Sequence, residues 1–393
     1  MTERTKLTLG KRIALSITAG VAALLVLATG ALAVLNRPLS QTEIDEAIES
    51  RLAAAVADSD SVSSALFTVY SGATGEVRDY AVGAPAGSQY HAASVGKTML
   101  AAAFGQLVDE GVLSFDHPVA TWLDAETLDG LFVVDGVDYS AEVTVGQLLS
   151  HTSGIGDYFE GPVTSGKTML ELVTDDPDHL FAPHDLVAFT RDNQTPVGRP
   201  GQKFAYSDTG YILLGLALEK IEGASYADIL DTRFFTPLGM TSSYLMTEFG
   251  TASDILPITV NGIDLSARNA LSVDWAGGGV VTTTGDLLTF MRALEGGELV
   301  SEAVHAKLTT FAQKYDKGIY YGAGMMQFKF KELSPLLFTM TDVRGAIGST
   351  GTFAMYDPST GNFYIANFGS LEYTEKAIGE LVEIRLILDR LAK

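Results

Sequence analysis

Ser94-Val95-Gly96-Lys97 sets a hydroxyl and an amine three residues apart at the head of an apolar run, Thr98 to Leu107. The run reads as a buried helix, and positions three apart on a helix share a face. Ser94 in the first turn would bring its hydroxyl near the Lys97 amine. A serine hydroxyl is a weak nucleophile that needs a neighbour to take its proton. A lysine serves as that neighbour when burial or another cation disfavours the ammonium form. The helix N-terminus also favours negative charge developing beside Ser94. Two other readings fit the tetrad alone. Ser94 could cap the helix while Lys97 snorkels to solvent. Gly96-Lys97-Thr98 also matches the end of a phosphate loop, but His91 stands where that loop requires a glycine.

Three further segments follow in order: Leu148–Gly154 (LLSHTSG), Pro200–Tyr211 (PGQKFAYSDTGY) and Gly345–Phe353 (GAIGSTGTF). With the tetrad they resemble the serine β-lactamase and penicillin-binding-protein-like hydrolases, in the branch of class C β-lactamases, D-alanyl-D-alanine carboxypeptidases and related esterases. Asp274–Gly279 (DWAGGG) and Phe235–Met240 (FTPLGM) look like the same branch. The resemblance runs from about Ile44 to the C-terminus. It implies that Ser94 is acylated and that Lys97 assists as base. The family's Tyr-x-Asn motif is matched by Tyr206-Ser207-Asp208, so Tyr206 becomes the second proton-transfer group. A lysine ammonium beside a tyrosine favours the phenolate, so the two are expected to share a proton. The resemblance also implies an oxyanion hole from the backbone N–H groups of Ser94 and Ser349, with Gly348 beside them at the substrate edge.

Two departures from the family pattern bear on chemistry. Asp208 replaces the usual asparagine. A carboxylate only accepts hydrogen bonds, so Asp208 cannot donate to a substrate carbonyl. It is expected to hold Lys97 by charge, which makes the lysine a poorer base and Tyr206 the acceptor of the Ser94 proton. The second departure is Ala346, where the family carries the lysine or histidine that holds a substrate carboxylate. Arg344 shares its strand face from about 7 Å away and is the candidate replacement; the alternative is a solvated edge residue.

Other chemistry-bearing residues read as structural. His151 lies in a segment that is a turn in the family. Tyr226-Ala227-Asp228 repeats the Tyr-x-Asp pattern but opens an amphipathic helix. His179 and His184 stand among Asp175, Asp176, Asp178 and Asp185 without helical ligand spacing, which suits an acidic surface loop. Gly277-Gly278-Gly279 indicates a close backbone approach.

These residues need a frame to position them. The chain has 393 residues and a 47% hydrophobic fraction, enough for a real core. Its net charge of −22 excludes nucleic acid as a partner and disfavours electrostatic binding to anionic lipid. With no cysteine, disulfides and thiolate metal sites are excluded. No cofactor is implied. Ile13 to Leu35 is uncharged and long enough to span a bilayer of about 30 Å. The basic residues Arg4, Lys6, Lys11 and Arg12 precede it, which keeps residues 1–12 cytoplasmic. The segment is expected to be an uncleaved single-pass anchor, with the rest outside the membrane. The alternative is a signal cut after Ala31-Leu32-Ala33 and a secreted product.

After a linker at 36–40, the hydrolase domain is expected over 41–393. A first helix covers Gln41 to Val56. Ala65–Tyr70 and Val77–Val82 form a hairpin around Ser71–Gly75. A helix-rich part runs from about 115 to 274. Strand signals follow at Phe338–Met340, Thr352–Tyr356 and Phe363–Asn367, then a closing helix from Leu371 to Lys393. Periodicity alone gives α+β. The resemblance implies an antiparallel sheet built from both chain ends, flanked by helices, with a helix-rich inserted subdomain.

The expected function is an exported serine hydrolase that forms an acyl-enzyme on Ser94. Its substrate is a small molecule or peptide-like, with esters or small D-amino-acid derivatives favoured over β-lactams by the two departures. The alternatives are a D-alanyl-D-alanine carboxypeptidase or β-lactamase, and a non-catalytic binding or regulatory protein of the same fold.

Overall fold

The computed structural model describes residues 37–246 and 254–391. The expected segment Ile13–Leu35 lies outside the described residues. Among the described residues no helix is long and apolar enough to cross a membrane.

Strand-forming segments at both ends of the domain meet in one antiparallel sheet. Its eight strands run, edge to edge, Gln313–Asp316, Ile319–Tyr321, Met326–Phe328, Val343–Ile347, Phe353–Asp357, Asn362–Asn367, Ala65–Tyr70 and Val77–Val82. The N-terminal hairpin docks on the last strand, with Leu66 opposite Asn367 and Tyr70 opposite Phe363. Side chains alternate across the pleat and so build two cores. In Asn362–Asn367, Tyr364 and Ala366 face one core, while Phe363 and Ile365 face the other.

The first core is closed by the helices Gln41–Ala57 and Thr374–Leu388. Ser40 starts the first helix with a reciprocal cap: its side chain accepts from the Glu43 N–H, and Glu43 accepts from the Ser40 N–H at 2.9 Å. The two helices are tied by Arg51, whose Nε donates to Glu380 at 2.6 Å. Beneath them Arg385 and Asp357 pair at 2.8 Å, both almost wholly buried. The second core joins the opposite face of the sheet to the helix Thr284–Glu295 and to the helix-rich middle of the chain. The buried helix there is Gly96–Asp109, with Met99, Leu100, Ala102, Ala103 and Phe104 fully enclosed.

Some element boundaries differ from expectation. Phe338–Met340 is not a strand; Pro335–Leu337 makes a single tight turn and Phe338 is 68% exposed. Proline lacks the N–H that a ladder needs, and the strand lies a few residues later, at Val343–Ile347. The hairpin of Gln313–Asp316 and Ile319–Tyr321 turns at Gly318, at φ 71°, and was not anticipated. The closing helix spans Thr374–Leu388; Leu371–Tyr373, expected to open it, forms a separate 3-10 turn.

Candidate active site

Ser94 does not sit in the first turn of the α-helix. It occupies a short 3-10 turn, Ala93–Val95, that feeds the helix beginning at Gly96. Ala93 has φ 47°, a left-handed conformation that costs a non-glycine residue energy. Two glycine backbones brace this turn. A Cβ on Gly278 would stand 2.5 Å from the Ala93 carbonyl carbon. One on Gly348 would stand 2.8 Å from the Ala92 oxygen and 3.4 Å from the Ser94 nitrogen. The glycine run 277–279 thus makes the close approach expected of it. Gly348 lets the end of the strand Val343–Ile347 press against the nucleophile turn.

The tetrad's spacing delivers the predicted contact. Lys97 Nζ donates to Ser94 Oγ at 3.0 Å and to the Gly277 carbonyl at 2.6 Å, and forms an ion pair with Asp208 Oδ1. An ammonium has three donors, and these three acceptors engage all of them. Lys97 is 1% exposed, so it is neither snorkelling nor phosphate-facing. Asp208 opens the helix Asp208–Glu222, next to its N-cap Ser207. The substitution of asparagine by aspartate therefore has the expected consequence: the carboxylate holds the lysine.

Tyr206 donates its hydroxyl to Ser94 Oγ at 3.2 Å. Its ring lies against His151, with centroids 4.1 Å apart. His151 Nδ1 accepts the Ser207 N–H at 3.1 Å, which fixes the start of the Asp208 helix. Burial, reinforced by the Lys97 charge, holds His151 well below the ordinary histidine range, so it is a neutral structural ring. Tyr206 departs from expectation. Burial first, and then the Asp208 carboxylate, push its phenol well above the usual range. The carboxylate that neutralises Lys97 also removes the cation's support for a phenolate. Tyr206 at rest is a phenol.

Ser94, Tyr206, Asp208, Gly348 and Ser349 line one cavity of about 330 Å³. Thr374 donates its hydroxyl to the Ser349 carbonyl, which fixes that peptide from the helix side. Arg344 is placed elsewhere, which corrects its assignment as a substrate anchor. It shares a face with the buried Ala346, as the strand repeat requires, but that face packs on the helix Thr284–Glu295. There Arg344 Nε donates to both oxygens of Glu295 at 3.1 Å. The strand meets the cavity through Ile347 instead.

Sequence reasoning missed three carboxyl groups. Asp157 is buried; its oxygens accept the Asp208 N–H at 2.9 Å and the Glu160 N–H at 3.0 Å. Burial and then Asp208 push its carboxyl up to about 8. Asp274, 3.6 Å from His91 Nε2, and Glu160 are each pushed up to about 7 by burial and then Asp208. Asp274 opens the DWAGGG segment and Asp157 and Glu160 follow LLSHTSG, but no spacing rule ties any of them to Ser94. The remaining candidates lie outside the cavity. Tyr226–Leu230 is a short helix capped by Ser225, His179 meets Phe181 edge to face, and His184 is in the first turn of Pro183–Asn193.

A serine–lysine–tyrosine cluster at a cavity between an antiparallel sheet and a helical subdomain is the arrangement of the serine β-lactamase fold. The Beta-lactamase family model matches residues 43–385, and the chain belongs to that family of serine hydrolases. It is 34% identical over 164 residues to penicillin-binding protein 4 of Amycolatopsis lactamdurans, covering 41% of this chain and 37% of that one. It is 25% identical over 187 residues to the D-aminopeptidase of Brucella anthropi, covering 46% of this chain and 34% of that one. The matches thus span about a third of these curated relatives. A D-stereospecific amidohydrolase from Streptomyces sp. superposes with a TM-score of 0.70 at 27% identity, over 83% of this chain and 94% of that one.

Proposed function

We propose that this chain hydrolyses small esters or amides, D-amino-acid derivatives among them, through an acyl-enzyme on Ser94. The carrying observation is the double hydrogen bond on Ser94 Oγ, from Lys97 at 3.0 Å and from Tyr206 at 3.2 Å, at the wall of a cavity. Because Oγ accepts from both, its own proton is directed to the cavity. In the first step Oγ bonds to the substrate carbonyl carbon. Tyr206 turns from donor to acceptor, takes the Ser94 proton and gives its own to the leaving alcohol or amine. Lys97, held by Asp208, keeps donating to Oγ and steadies the negative charge that develops there. Water then attacks the acyl-serine, releases the acid and restores Ser94. The Ser94 and Ser349 N–H groups are assigned to the carbonyl oxygen, and the contact of Gly348 with the Ser94 turn supports this.

The carboxypeptidase and β-lactamase alternatives call for a cation to hold a substrate carboxylate. No lysine or arginine is among the described residues lining the cavity, which favours substrates without that group. Export rests on the uncharged segment Ile13–Leu35 and the basic residues before it. A fluorophosphonate probe tests the reaction directly. The protein is expected to take one label, located at Ser94 by peptide mass spectrometry. Absence of labelling, or labelling of another serine, overturns the reading.

A further inference from the structure

We infer that the cavity selects substrates carrying an ammonium group close to the scissile carbonyl, with Glu160 as its counter-ion. This rests on the hydrolase reading and names the substrate class for that site. Five carboxylate side chains line the cavity: Glu160, Asp208, Asp274, Glu372 and Glu375. Asp208 pairs with Lys97, Asp274 lies 3.6 Å from His91 Nε2, and Glu372 accepts from the Ser370 hydroxyl. The Glu160 side chain is half-buried at the wall and has no hydrogen-bond partner among the described residues.

Its position is held rather than free. Asp157 accepts the backbone N–H groups of Phe159 and Glu160, and Thr209 accepts that of Tyr158 at 3.0 Å. That turn presents Glu160 to the cavity from rigid backbone, as a recognition group requires. A half-buried carboxyl without a partner gives up part of its hydration, and an arriving cation supplies a partner. The same field repels a carboxylate-bearing ligand, the reverse of what a cation at Ala346 would do. Burial and Asp208 keep the empty Glu160 partly protonated near neutral pH, and an ammonium neighbour would favour the ionised form.

The test uses two anilides that differ only in the ammonium group, phenylalanine p-nitroanilide (the better hydrolysed enantiomer) and 3-phenylpropionyl p-nitroanilide. The wild-type protein is expected to favour the amine in kcat/KM by about 10- to 150-fold, the range of one charge-assisted hydrogen bond. Glu160→Gln is isosteric and should erase most of that ratio. A role in structure alone would lower both substrates together. A wild-type preference for the uncharged anilide, or an unchanged ratio in Glu160→Gln, overturns the inference.

Binding separates this outcome from failure of the hydrolase reading. Calorimetry on Ser94→Ala with phenylalanine amide and 3-phenylpropionamide needs no turnover. Tighter binding of the amine that is lost in the Ser94→Ala, Glu160→Gln double variant supports the cation site even if no substrate is cleaved. Equal binding of the two amides overturns it even if esters are hydrolysed.

Discussion

Replacing Gly278 by alanine tests whether the nucleophile turn is held by backbone pressed on backbone. The new Cβ would stand 2.5 Å from the Ala93 carbonyl carbon, 2.6 Å from its oxygen and 3.0 Å from its Cα. Ordinary carbon–carbon contact needs about 3.5 Å, so the two segments must part by about 1 Å. No side-chain rotation relieves this, because all three neighbouring atoms are main chain. Ala93 has no slack either, being already at φ 47°. Ser94 is the next residue, and a 1 Å misplacement of a reacting group costs on the order of 10²-fold in rate. Overpacking of this kind costs about 1–3 kcal/mol in stability.

Gly277→Ala is the matched control. Its Cβ would meet only the ends of side chains, Asp208 Oδ1 at 3.3 Å and Lys97 Nζ at 3.7 Å, and the carbonyl that holds Lys97 is kept. The assay is kcat/KM on p-nitrophenyl butyrate together with the second-order rate of fluorophosphonate labelling. Thermal unfolding confirms that both variants fold. Gly278→Ala should lose about two orders of magnitude in both rates, and Gly277→Ala far less. Equal rates in the two variants would refute the argument that Gly278 positions Ser94.

Ser94→Ala should remove hydrolysis of any active ester, a loss that can approach about 10⁶-fold, and intact-mass spectrometry should then show no acyl adduct. Arg385→Ala leaves the buried Asp357 carboxylate without its ion pair and should destabilise the protein by about 3–5 kcal/mol, read by chemical denaturation; a loss under 1 kcal/mol would show that water reaches Asp357. Stability should also fall as pH rises from 6.5 to about 8. Asp157, at about 8, and Glu160 and Asp274, at about 7, keep protons in the folded state that the unfolded chain has released. Below pH 6.5 the buried neutral His91, held down to about 4, acts in the opposite sense, so the upper window isolates the carboxyls. Asp274→Asn should flatten the slope there, and an unchanged melting profile would contradict the raised carboxyl values. Protease added to intact spheroplasts should digest the domain if residues 13–35 anchor it outside; soluble full-length protein in the cytoplasm would contradict export.

Much of this protein was legible locally. Ser94 and Lys97 meet because three residues make about one helical turn, a distance that the backbone alone sets. The hairpin Ala65–Tyr70 and Val77–Val82 was readable because strand residues flank a Gly-containing turn. The replacement of asparagine by Asp208 carried its own consequence, since a carboxylate beside a lysine pairs with it in any packing.

What the chain order could not show depends on which surface each face meets. Arg344 and Ala346 share a face, as period two demands, but only the packed fold shows that this face meets Glu295 and not the cavity. The protonation of Tyr206 turns on how completely the sheet and helices exclude water around it, and that exclusion is the sum of segments distant in sequence. Glu160 and Asp274 stand 114 residues apart, and no periodicity relates them. Only the tertiary structure brings both carboxyls to the wall of the Ser94 cavity, because side-chain neighbours across a core are chosen by the packing of whole elements and not by spacing along the chain.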